Sequence, residues 1–181
     1  DALRKGYCAR IYTYNITVFD PAGFTRPHVD IAARLLQQRD EKDDARIRNA
    51  TDGYVEFPRN GGRLRLASLS QHLLGGILRR RLPILTGLSS TYLYRAARER
   101  DENGSADDIR GQPAGHFVVI AGWDDARRRV LVVDPYQPNP YGTPHEYWIS
   151  VDRVLAAVLL GIVTHDANLL VVYPRQRASR P

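Results

Sequence analysis

The chain has 181 residues, 26 Lys and Arg against 20 Asp and Glu for a formal net charge of +6, one Cys and no Met. That length suits one domain able to bury roughly 70% of its unfolded surface, and a single Cys excludes an intrachain disulfide. The longest apolar run, Val154 to Val163, falls short of the roughly 18 to 20 residues that span a bilayer.

Lysine occurs only at Lys5 and Lys42, so arginine supplies the positive charge, with clusters at Arg79–Arg81 and Arg127–Arg129. Without interleaved aromatics or a known motif, these clusters argue for weak attraction to acidic partners and against nucleic-acid binding.

In chain order, Asp1 to Gly6 reads as the last turn of a helix, with Arg4 and Lys5 at its C-terminal dipole and Gly6 as its stop. The β-branched and aromatic content of Tyr7 to Val18 predicts a strand, closed by the turn Asp20 to Gly23. A helix opens near Pro27, with Val29, Ala32, Ala33 and Leu36 on one face. The charged stretch Arg39 to Arg48 continues it or forms a loop. Arg59 to Gly62 is a turn, and Arg63 to Leu66 a short strand. Ser68 and Gln71 suit a capping box for a helix with Leu69, Leu73 and Ile77 at fourfold spacing. Pro83 introduces a buried strand, Ile84 to Leu88.

The exit Ser89-Ser90-Thr91-Tyr92 is small and hydroxylated. It reads most simply as a strand-to-helix cap, with Ser90 and Tyr92 as candidate substrate-binding residues if it lines a cleft. Arg98 to Gln112 is an exposed loop of a length that often covers a site. Pro135 to Pro144 is a second irregular loop. Glu146 to Ser150 predicts a strand, Val151 to Leu160 a helix and Leu169 to Tyr173 a last strand. The resulting organisation is one domain over 1–174 and a basic tail over 175–181.

The most informative segment lies between these loops. Gly115-His116-Phe117-Val118-Val119-Ile120 and Val130-Leu131-Val132-Val133-Asp134 are apolar runs flanking the turn signal Asp124-Asp125-Ala126-Arg127, which predicts a β-hairpin. A turn centred near Asp125 puts His116 opposite 134 or 135, on one face and within reach of the Asp134 carboxylate. A carboxylate on one ring nitrogen fixes the tautomer and leaves the other nitrogen as a base. The competing interpretation is a satisfied core histidine and an ordinary Asp-Pro turn.

Gly115-His116-Phe117-Val118-Val119, Gly122-Trp123-Asp124-Asp125 and Val132-Val133-Asp134-Pro135 resemble the His and Asp blocks of the bacteriocin-processing (double-glycine leader) cysteine peptidases and their bacterial relatives. The resemblance extends over most of the chain from about Gly6 onward. It implies an α+β, papain-like fold with an antiparallel sheet and a bacterial, cytoplasmic setting. It also implies a Cys-His-Asp order with His116 as base and Asp134 as its orienter, acting on a peptide or amide bond by hydrolysis or acyl transfer. Transglutaminase-like and arylamine-acetyltransferase enzymes share a similar His-strand-Asp pattern.

The chain departs from that family at the nucleophile, for no helix bearing a Cys-Gly-Pro segment is present. Cys8, the only cysteine, falls in a predicted strand, without the helix N-terminus that lowers a thiol pKa. It is therefore a buried hydrophobe first and a candidate nucleophile second. With no Met and a helix that begins mid-turn, the expectation is that the nucleophile helix is missing from this chain. The chain alone is then inactive, and a separate N-terminal chain or a dimer partner completes the site. The alternative is a peptidase-like domain that binds a peptide or protein partner without cutting it. The pairs His28/Asp30, His145/Glu146 and His165/Asp166 lack the spacing of a zinc site, and no phosphate loop appears, so neither metal nor cofactor is expected.

Overall fold

A computed structural model describes residues 1–26, 28–137, 139–141, 145–163 and 167–175. Among them the chain forms seven strands and five α-helices in mixed order, an α+β architecture. Contacts divide it into two compact units, Asp1–Ala67 with the chain from Leu170, and Ser68–Leu169.

In the first unit the leading turn closes through the Lys5 amide on the Asp1 carbonyl and stops at Gly6, whose φ is +83°. Strand β1 (Tyr7–Thr13) follows and is shorter than predicted. Asn15 accepts the amides of Thr17 and Val18 on its Oδ1, and this side-chain turn takes the backbone out of the extended state. Helix α1 (Ile31–Glu41) starts later than predicted, capped by Asp30 rather than opened at Pro27, which lies outside the described residues. The stretch after it is not simply loop, because Ala45–Arg59 forms a second helix, α2.

Thr51, Gly53 and Pro58 are poor helix formers, and tertiary packing overrides them. Val55 joins Val18, Phe19 and Leu35 in a core, with Tyr54 edge-on to Phe19 at 4.7 Å between centroids. Strand β2 (Arg63–Arg65) lies parallel to β1. The sheet is therefore mixed, which corrects the expectation of a wholly antiparallel one. The C-terminal strand β7 (Asn168–Pro174) neighbours β1 on its other edge.

The second unit is built on the antiparallel order β3 (Ile84–Ser89), β4 (Gly115–Asp124), β5 (Arg129–Val133) and β6 (Glu146–Ser150). Helix α3 (Gln71–Leu78) is capped by Ser70, whose Oγ accepts the Leu73 amide at 3.2 Å. The predicted Ser68/Gln71 box does not form, because the helix begins at Gln71 itself with Ser70 as its cap, and Gln71 donates to Asp152 at 2.6 Å. One face of the strands packs Ile84, Leu88, Val118, Ile120, Val130 and Val132 against Leu74 of α3 and Val154 and Val158 of helix α5 (Val151–Leu160), all essentially inaccessible to water. Each such side chain contributes about 2 kcal/mol of transfer free energy. No helix among the described residues is long and apolar enough to cross a membrane.

Candidate active site

His116 and Asp134 meet, though not directly across the ladder. The β4–β5 turn pairs Asp124 with Arg129, and a bulge between Ile120 and Gly122 shifts the register by one, so that Val119 faces Val133. Extending that register one step puts Val118 opposite Asp134, and His116 is its diagonal neighbour on the same face. The sequence arithmetic centred the turn too early and had no means of counting a bulge. Diagonal pairs still lie within reach of long side chains, and Nε2 of His116 comes 2.8 Å from Oδ1 of Asp134. At Gly122, beside the bulge, an added Cβ would come 2.9 Å from Leu131 Cβ, so the backbone there tolerates no side chain without a shift.

The Asp134 side chain is completely buried and its two oxygens accept four hydrogen bonds. Oδ1 takes His116 and the Tyr136 amide at 2.9 Å, and Oδ2 takes the hydroxyls of Tyr94 at 2.6 Å and Tyr147 at 2.8 Å. Its backbone is pinned as well, its amide donating to the His145 carbonyl and its carbonyl meeting His145 Nδ1. Burial pushes the carboxyl up, but donors from Tyr94, His116, the Tyr136 amide and Tyr147 outweigh it and hold it below the ordinary value. Burial, followed by the bonds to Asp134, pushes both phenols well above their usual range. The carboxylate is therefore an acceptor only and the tyrosines are donors, so His116 must donate from Nε2. Nδ1 has no hydrogen-bond partner among the described residues, and the His116 side chain is 22% exposed.

The elements that deliver these groups are tied together. Helix α4 (Ser90–Tyr94) is a short turn capped by Ser89, whose Oγ accepts the Tyr92 amide. Three bonds staple this turn to Ala114, two residues before His116. The Ser90 amide and Oγ both donate to the Ala114 carbonyl, and the Ala114 amide donates to Thr91 Oγ1. Tyr94, the last residue of α4, is thus aimed by the same staple that sets the start of β4. Tyr136 is half-exposed, its ring centroid 6.1 Å from that of His116 and 5.9 Å from that of Tyr94.

Ser90, expected among substrate-binding residues, is buried, and its hydroxyl donates to the Ala114 carbonyl. Tyr92 remains exposed. Cys8 is the second residue of β1 in the first unit, in a strand as expected but only half-buried. His165 and Asp166 lie outside the described residues, as does most of the basic tail. A cavity of about 380 Å³ opens in the first unit between Pro21–Phe24 and α1, floored by Phe19, Phe24 and Leu35. It contains none of the groups around His116, so the chemistry of the side chains and not cavity size identifies the site.

Tyr94 and Tyr147 escaped the sequence reading. Tyr147 had a signal, since alternation in Glu146-Tyr147-Trp148-Ile149 aligns it with the inward face of Val132, its ladder partner. Tyr94 had none, because a one-turn helix carries no periodicity. The chain matches no protein-family model, no curated protein and no solved structure.

Proposed function

We propose that this chain carries the base half of a cysteine-peptidase-like active site, with His116 as general base, Asp134 as its orienter and the thiol supplied from outside these residues. The observation that carries the reading is the asymmetry of the imidazole. Nε2 is engaged by a buried, ionised carboxylate, while Nδ1 is left with a lone pair on a partly exposed ring. Such a ring takes the proton of a thiol as the thiolate attacks the carbonyl carbon of a peptide or amide, then returns it to the leaving amine. Attack on the resulting thioester by water gives hydrolysis, and by an amine gives acyl transfer. The antiparallel β3–β6 arrangement, together with the resemblance of 115–125 and 132–135, supports a papain-like assignment for the fold.

A second reading draws on the hydroxyls preceding the site. Ser89, Ser90 and Thr91 are all engaged in backbone bonds, so none of them is poised as a nucleophile, and a domain that binds a peptide or protein without cutting it fits the same geometry. The experiment expresses the chain alone and joined to its upstream coding sequence, assays both on peptide and acyl-ester substrates, and locates any acyl adduct by mass spectrometry. The expected result is no turnover by the 181 residues and an adduct on an upstream Cys in the longer protein. Turnover by the chain alone, abolished by Cys8→Ser, moves the nucleophile to Cys8. Saturable peptide binding by the longer protein with no turnover establishes the non-cutting domain.

A further inference from the structure

We propose that Tyr94 and Tyr147 are positioning residues that lock the plane of the Asp134 carboxylate against Nε2 of His116 and share its charge, moderating its pull on the ring. The proposal rests on the reading of His116 as a base, and its measurement needs no substrate, so the two can fail separately.

The geometry divides the carboxylate into two unlike oxygens. Oδ2 is occupied by two hydroxyls, at 2.6 and 2.8 Å, that reach it from different elements, α4 and β6. Exchanging the oxygens by rotation would break both of these bonds along with those from His116 and the Tyr136 amide. Either oxygen is the same acceptor, so what the hydroxyls fix is the plane of the carboxylate beside His116, and an acceptor-only partner admits only the tautomer protonated at Nε2.

The second consequence is electrostatic. A buried carboxylate with only one side-chain donor would favour the imidazolium more strongly, and an imidazolium cannot serve as a base. Four donors spread the negative charge, so less of it acts on His116. The titratable groups around the pair are Tyr94 from α4, Tyr136 after β5, Tyr147 from β6 and His145 through the Asp134 carbonyl. One guanidinium connects to the pair only through intervening tyrosines. Arg153 of α5 donates to the Tyr141 hydroxyl, which in turn donates to the Leu93 carbonyl, and the Tyr141 ring lies 4.7 Å from that of Tyr147. No Lys, Arg or further carboxylate bonds the pair among the described residues.

The test is 15N NMR of the chain with labelled histidine, the His116 signals being assigned by their loss in His116→Gln. In the wild type above the titration, Nε2 is expected to be protonated and Nδ1 bare. In Tyr94→Phe/Tyr147→Phe the rings remain but the donors are gone. The pair is then expected to take up its proton about one pH unit higher, while above that titration the proton stays on Nε2, which still faces the carboxylate. Each single variant should move partway. Rings that only fill space predict no movement, so an unchanged midpoint in the folded double variant overturns the proposal. If the double variant does not fold, unchanged midpoints in both single variants do the same. A wild-type ring protonated at Nδ1 overturns it without any variant.

Discussion

Asp134 concentrates the energetics of the site at one residue. Removing its carboxylate strands the hydroxyls of buried Tyr147 and partly buried Tyr94, a backbone amide and the His116 ring nitrogen without that acceptor. Asp134→Ala is therefore expected to cost about 3–5 kcal/mol, read from the urea midpoint. The same residue sets an acid limb. Its folded pKa lies below the unfolded value near ~3.9, so the unfolded chain binds the proton first and the contribution to stability declines as pH falls. The stability gap between wild type and Asp134→Asn should be full above about pH 5 and narrow below about pH 4. A gap constant across that range would mean that the carboxylate is not the ionised, hydrogen-bonded group described. His116 and Asp134 were legible in the sequence because hairpin pairing follows from two apolar runs and a turn. The hydroxyls that hold the carboxylate were not, because they arrive from elements distant in sequence and depend on packing.

At the scale of elements, strong periodicity and turn chemistry carried over well. The β4–β5 hairpin, β3, β6 and α5 form close to where their residues predicted. Helix α2 was missed, because its Thr, Gly and Pro argue against helix locally while Val55 and Tyr54 are held by the core of Phe19 and Leu35. The cap of α3 shifted from Ser68 to Ser70 for a similar reason, since two serines compete and the register of Leu74 and Leu78 in the core selects between them. Ser70→Ala should destabilise the fold by about 1 kcal/mol, and Ser68→Ala by much less, as measured by thermal unfolding. Equal losses from both would restore the capping box.

For the whole molecule, three of the six clustered arginines are matched locally. Arg79 pairs with Asp125, Arg127 with Asp124 and Arg128 with Asp152. Arg79 also lies over the Trp123 ring, 5.3 Å from its centroid. Such exposed pairs contribute little to stability, but they set carboxylates among the arginines at the hairpin turn. Fluorescence anisotropy with duplex DNA is accordingly expected to show no saturable binding at micromolar protein in about 150 mM salt, and saturable binding there would make the arginines a nucleic-acid surface.

The central claim joins the hairpin to chemistry, with His116 as a base made competent by Asp134. It is tested most directly by kcat/KM on a peptide substrate for the protein expressed from its whole gene, comparing wild type with His116→Ala and Asp134→Asn. The account predicts losses of about a thousandfold or more for His116→Ala and about a hundredfold or more for Asp134→Asn, with both variants folded. Turnover within about threefold of wild type in folded His116→Ala would contradict it.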